Sequence, residues 1–203
     1  MSNGNTENQH RSEKHTSNFA FMLITLIHDN PLRRRFDDPI KTLKSAGLKP
    51  GLRVLEVGCG PGFFTIPAAD IVGNEGIVYA LDVHPRAIGR VQKKTQSKGI
   101  KNVRTMLTNA SDIGLPGQSI DLAFMFGLPY IIGGQINVIR EIHRILKPGG
   151  ILSYKKTRGA EKKLIEDLRK QGLIYSGKQK KIFFFTKEGA SKRPGVKSAL
   201  DSC

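Results

Sequence analysis

Val54-Leu-Glu-Val-Gly-Cys-Gly-Pro-Gly-Phe-Phe-Thr65 decides the fold of this 203-residue chain. Val54, Leu55 and Val57 are β-formers in a short apolar run, the pattern of a buried strand. Glu56 stands at the end of that strand. Gly58, Gly60 and Gly62 follow, and a second apolar run continues from Phe63 to Val72. That run reads as a helix starting near Phe63, because Pro67 is tolerated only in a first turn whose N–H groups lack intrahelical partners. Glycines at a strand-to-helix turn let the backbone approach a ligand closely. The helix behind them is expected to offer free N–H groups and the positive end of its dipole. This is the layout of a site for a nucleotide-like cofactor.

A dinucleotide fingerprint requires G-x-G-x-x-G. Counted from Gly58, the third glycine position is Phe63, and the glycine comes one residue early, at Gly62. The spacing E-x-G-x-G-x-G resembles instead the class I S-adenosylmethionine (SAM)-dependent methyltransferases, of the ubiquinone/menaquinone-biosynthesis type. Later segments carry the same resemblance. Gly76 to Asp82 is a second apolar strand ending in an acid 20 residues past Gly62. A carboxylate at the tip of the next parallel strand can accept hydrogen bonds from a ribose diol. The alternative reading of Asp82 is a helix N-cap ahead of Pro85, and the two roles are compatible. After a third strand, Val103 to Leu107, the segment Thr108-Asn109-Ala110-Ser111-Asp112 resembles the family's "D-A-x-x-L-P". Asn109 stands where that pattern has an acid, and its side-chain oxygen can still accept from an adenine amine. Asp112 is a second candidate acceptor. Ser119 to Phe126 resembles the fourth strand, and Lys147-Pro-Gly-Gly150 the break before the fifth.

The resemblance implies a fold and a site. The fold is α/β, a three-layer, doubly wound, mostly parallel seven-stranded sheet with a C-terminal antiparallel hairpin. The expected cofactor is SAM, with S-adenosylhomocysteine (SAH) as product. The residues expected to hold it are Glu56, Gly58, Cys59, Gly60, Gly62, Asp82, Val83, Asn109, Ala110, Phe126 and Gly127. Glu56 would orient the methionine ammonium. The acceptor would sit by Phe126-Gly-Leu-Pro-Tyr130, a faint likeness to the "N-P-P-Y" tetrad with Gly127 and Leu128 replacing its first two residues. No catalytic residue is assigned, since methyl transfer needs a general base only when the nucleophile arrives protonated. His143 reads as an exposed or capping histidine.

Along the chain, residues 1–16 form a polar tail expected to be disordered, and 17–48 form N-terminal helices capping the site. Residues 49–188 are the methyltransferase domain, and 189–203 a loose basic tail. Helices are expected over Gln135–Leu146, with Ile136, Ile139, Ile142 and Ile145 facing the core, and over Ala160–Gln171. Strands are expected over Ile151–Tyr154, Leu173–Ser176 and Ile182–Thr186. Counting gives β-α repeated to five strands, then α-β-β, and right-handed crossovers place the site at the strands' C-terminal ends.

Composition limits the partners. Two cysteines, Cys59 and Cys203, offer no disulfide framework and no thiol metal site, which fits a reducing cytoplasm. Cys59 is expected to line the cofactor site as a small side chain. No apolar run approaches the ~18 residues of a spanning helix. Phe19–Ile27 reads first as a buried helix, then as a lid over the cofactor, then as an interfacial membrane contact. The net charge is +16, and residues 155–197 carry fourteen basic and four acidic side chains. A small-molecule acceptor is expected first; RNA or protein, or a non-catalytic SAM- or RNA-binding role, comes second on that basic third.

Overall fold

The computed structural model describes residues 38–128, 131–155 and 159–189. The expected tail at 1–16, most of the expected cap, Pro129, Tyr130, Cys203 and the basic tail from 190 onward lie outside the described residues. Helix α1 (Pro39–Ser45) is capped by Asp38, whose carboxylate accepts from the Ile40 and Lys41 N–H groups. It leads to β1 (Arg53–Val57), α2 (Thr65–Val72), β2 (Ile77–Asp82), α3 (Pro85–Ser97) and β3 (Val103–Leu107). Then come β4 (Ile120–Phe126), α4 (Gln135–Ile145), β5 (Leu146–Lys155), α5 (Glu161–Lys170), β6 (Leu173–Gln179) and β7 (Ile182–Lys187).

The seven strands form one sheet in the order β3-β2-β1-β4-β5-β7-β6. The first five are mutually parallel, and β7 runs antiparallel to both β5 and β6. The chain order reverses between β1 and β4, so a switch point opens at their C-terminal ends, where open α/β sheets bind ligands. β1 and β4 are buried along nearly their whole length, as parallel strands covered on both faces must be. One core packs α4 and α5 on the sheet through Ile139, Ile142, Leu164 and Leu168. The other packs α1 and α2 through Leu43, Ala68 and Val72 against Leu122 and Phe124. Buried Ser153 on β5 ties the second layer down by donating to the Ala46 carbonyl at 2.7 Å.

Four features differ from the sequence reading, each for a local reason. α2 begins at Thr65, two residues after Phe63, because the glycine turn runs on as turns through Phe64. No helix lies between β3 and β4; the Asn109 side chain accepts from the Ser111 N–H at 3.1 Å and folds that segment into a turn. β5 starts at Leu146 rather than Ile151: Leu146 pairs with Ile120, and a register irregularity absorbs Lys147–Gly150 before pairing resumes at Ile151. On α4 the buried stripe is Val138, Ile139, Ile142 and Ile145, while Ile136 is 51% exposed. At ~100° per residue, Ile136 falls well off that stripe.

The end of α4 is closed from far along the chain. The Lys187 ammonium, at the end of β7, donates to the carbonyls of His143 (2.7 Å) and Leu146 (2.8 Å). A cation there satisfies carbonyls that have no intrahelical partner and complements the helix dipole. Among the described residues no helix is long and apolar enough to cross a membrane.

Candidate functional site

The ends of β1, β2, β3 and β4 bring most of the expected residues to one edge. β1 delivers Glu56 and then the glycine turn. Gly58, Gly60 and Gly62 all hold positive φ, at 75°, 52° and 87°. At Gly58 a side chain would also collide with the Leu128 side chain, which lies across the turn from the end of β4. At Gly60 the space a Cβ would enter holds no atom of the described residues within 4 Å beyond the adjoining chain. The centre of the turn is therefore open, and a ligand can reach its backbone there.

The turn's hydrogen bonds decide what that can be. The Gly58 and Cys59 N–H groups both donate to the Leu81 carbonyl, at 2.8 and 2.9 Å, and the Gly62 N–H donates to the Cys59 carbonyl at 3.0 Å. The Gly60 N–H donates to Asp82 Oδ2 at 2.9 Å. Pro61 has no N–H. The Gly58, Cys59, Gly60 and Gly62 N–H groups are thus spent inside the protein, so any backbone donors offered to a ligand come from the start of α2 rather than from these four. Two carboxylates stand at the turn. Glu56 is protonated at neutral pH until a cation completes it, Asp82 holds the outer loop, and the Lys94 ammonium closes the Pro61 carbonyl at 2.8 Å.

Asp82 ends β2 half-buried, with Oδ2 on Gly60 and Oδ1 accepting from the His84 N–H at 2.9 Å. It is not the cap of α3. His84 is, through Nδ1, which accepts from the Arg86 N–H at 3.2 Å. Each Asp82 oxygen keeps a further lone pair, so the carboxylate that holds the two loops together can still accept from a diol. Val83, the next residue, is 42% exposed at the rim.

Glu56 is 2% exposed. Its Oε2 accepts from the Thr65 hydroxyl, the first residue of α2, at 2.6 Å. No hydrogen bond from the described residues reaches its other oxygen. Burial pushes its pKa up to about 8, with the Thr65 bond opposing and the Asp82 charge adding to the rise. A buried carboxyl with an orphaned oxygen is costly unless a donor or cation completes it.

The remaining expected residues are less uniform. The Cys59 side chain does not line the open turn; it packs with Ala80, Ile88 and Val91 under α3. Burial raises its thiol pKa, which leaves it protonated and unreactive. Asn109 is half-buried, its oxygen already engaged with Ser111, and its amide lies against Gly133 of the loop after β4. Ala110 is buried, Phe126 is 6% exposed, and Gly127 opens at the rim with φ 68°. Asp112 is exposed on the far side of the Asn109 turn, where its charge faces Arg144. His143 is half-buried against Gly172, away from the turn; burial and the Lys187 charge lower its pKa. The sequence reading gave Thr65 no role, and it named Leu128 only within the acceptor stretch, not against Gly58. A hydroxyl nine residues after Glu56 carried a signal only for a chain already known to turn back over its own strand. No group of three or more His, Cys, Asp or Glu side chains among the described residues is arranged to hold a metal.

The site fits SAM on its own terms. The orphaned Glu56 oxygen suits an ammonium, the open space at Gly60 admits a ligand against backbone, and paired carboxylates suit a molecule that carries sulfonium and ammonium charges. Comparison with known proteins agrees. A methyltransferase domain family matches residues 48–189. The demethylmenaquinone methyltransferase of Geobacillus stearothermophilus is 34% identical over 110 residues, 54% of this chain and 47% of that protein. The ubiquinone/menaquinone biosynthesis C-methyltransferase of Shewanella sediminis is 33% identical over 132 residues, 63% and 52% of the two chains. The chain spans about half the length of the curated relatives it matches. The crystal structure of a SAM-dependent methyltransferase from Aquifex aeolicus superposes with a TM-score of 0.69 at 28% identity, covering 78% of this chain and 93% of that one. With its sheet order, its glycine turn and these relatives, the chain belongs to the class I SAM-dependent methyltransferases.

Proposed function

We propose that this chain transfers the methyl group of SAM to a small aromatic acceptor of the quinol class. The observation that carries the cofactor half is the glycine turn, whose N–H groups are internally spent and which is flanked by Glu56 and Asp82. The acceptor half is supported by relatives named for demethylmenaquinone and by the apolar character of the fourth-strand end. There Phe64, Phe124 and Phe126 pack edge-on or tilted at centroid distances of 5.0–6.4 Å, and Leu128 lies over Gly58.

Bound SAM supplies an activated methyl that leaves its sulfonium sulfur in an in-line displacement, so the acceptor gains carbon, loses a proton and leaves neutral SAH. The protein's part is position and exclusion of water. Glu56 would hold the ammonium end, Asp82 the ribose, and Asn109 and Ala110 the adenine end. The apolar surface around Phe126 and Leu128 would hold the acceptor ring dry. Asp82→Ala is expected to weaken SAH binding at least about tenfold, the scale of a lost charge-assisted hydrogen bond. Calorimetry measures it, and unchanged affinity would remove the ribose assignment.

The acceptor is tested by labelled methyl transfer from SAM to a reduced naphthoquinone lacking its ring methyl, with bulk RNA in a parallel reaction. Label in the quinol supports the proposal; label in RNA alone contradicts it. RNA is the second reading because Lys180 and Lys181 extend the excess of basic residues to the edge that carries the site.

A further inference from the structure

One edge of the sheet carries four of the exposed large apolar side chains, Val83, Leu107, Ile132 and Ile136. Among the described residues the other exposed large apolar side chains are Ile40, Ile174 and Tyr175, which lie elsewhere. Val83 and Leu107 close β2 and β3 at their C-terminal ends. Ile132 and Ile136, 47% and 51% exposed, flank the start of α4, which begins at that same edge because β4 has just ended there. Gly133 between them touches Asn109 and Ser111 in the loop after β3. Val83 belongs to the cofactor reading, and Leu107 pairs with Asp82 beside it. Ile132 and Ile136 lie on the outer side, and nothing in the cofactor reading uses them. Ile136 lies off the buried stripe of α4 and Ile132 three residues ahead of its start, so both are available to an apolar partner at this edge.

The opposite end of that edge is basic. Ile182, the first residue of β7, registers with Lys155, the last of β5, so the β6–β7 tip at Lys180 and Lys181 stands at the C-terminal edge. Lys180 holds φ 55°, a strained position for a lysine. The sheet is seven strands wide, and six strand spacings put the edge at ~29 Å from end to end. It therefore presents aliphatic side chains toward one end, lysines at the other, and the cofactor turn between. A protein of net charge +16 meets an anionic bilayer favourably, at about 1 kcal/mol per cation near the surface, and aliphatic side chains at the headgroup boundary add apolar burial.

We propose that the C-terminal edge of the sheet docks on an anionic lipid surface, with Ile132 and Ile136 entering the headgroup boundary and Lys180 and Lys181 meeting lipid phosphates. The mouth of the site then faces the phase from which an apolar acceptor arrives. That purpose rests on the quinol-class proposal above, whereas the docking itself does not.

The test is co-sedimentation of the full chain with vesicles of phosphatidylglycerol and phosphatidylcholine at 3:7, and of phosphatidylcholine alone, with SAH calorimetry on every variant. Wild type is expected to sediment with the anionic vesicles and stay in solution with the neutral ones. Ile132→Ser/Ile136→Ser is expected to lower the partition at least about fivefold with SAH affinity unchanged, and Lys180→Glu/Lys181→Glu to lower it comparably. Lys93→Glu/Lys98→Glu on α3 changes the charge equally away from the edge and should leave binding near wild type. Equal loss in the α3 variant, or no loss in the isoleucine variant, overturns the proposal by reducing it to bulk charge. Stronger binding to single-stranded RNA that displaces the vesicles overturns it in favour of nucleic acid. Because SAH binding is read separately, the lipid surface and the cofactor site can fail independently.

Discussion

Gly60→Val is expected to abolish SAH binding, a loss of at least about 100-fold, while leaving the sheet intact. Two effects point the same way. The residue holds φ 52°, a left-handed conformation that a β-branched side chain resists. Its Cβ would also enter space that holds no atom of the described residues within 4 Å, so the added methyls meet the ligand rather than the core. The Gly60 N–H bond to Asp82 also ties the first loop to the second, so a shifted turn carries the ribose-side carboxylate with it. Gly60→Ala separates the contributions: a smaller loss measures the Cβ, and the remainder belongs to valine's bulk. Normal SAH binding by Gly60→Val would mean that the cofactor does not pass over this turn.

The second large effect concerns Glu56. Its folded pKa is pushed up to about 8 from an ordinary 4.5, burial being the main cause. The native state then binds a proton that the unfolded chain has already released. Between pH 4.5 and about 8 the stability from this group falls as pH rises. It is whole below the ordinary value and spent above the raised one. Glu56→Gln keeps the shape and a hydrogen-bond partner for Thr65 without the titration. The variant is expected to melt within a degree or two of wild type at pH 5 and several degrees higher at pH 8.5, on the order of a few kcal/mol. Ligand binding reverses the ranking. An ammonium at the orphaned oxygen needs the carboxylate, so wild-type SAH binding near pH 7 should release a proton and tighten toward pH 8. Glu56→Gln should bind at least about tenfold more weakly with a flatter pH profile. A variant that loses stability at high pH and keeps full affinity would move Glu56 out of the site.

The sequence made the first two strand ends legible because their signals are local. E-x-G-x-G-x-G and the acid closing β2 depend on residues within reach of one turn, and both stand where the spacing put them. Features set by distant chain were not legible in the same way. Ile136 satisfies an i, i+3 spacing with Ile139, yet the stripe is fixed by which side of α4 meets the sheet, and Val138 takes its place. Lys187 reads as one more basic residue in a basic segment until the fold carries it 44 positions back to close α4. The turn's donors read as free from the strand–glycine–helix order alone. Their real partners, the Leu81 carbonyl and the Asp82 carboxylate, come from the neighbouring strand. That last difference matters most, because it ties the glycine turn to Asp82 and so to the second loop of the site.

It also sets the most direct test, a calorimetric titration of the full chain with SAH and, separately, with NAD at matched ionic strength. A turn whose donors are spent and whose carboxylates face the ligand should bind SAH in the micromolar range and give no heat with NAD. Binding of NAD, or of neither, would contradict the assignment of Glu56, Gly60 and Asp82 to a SAM site.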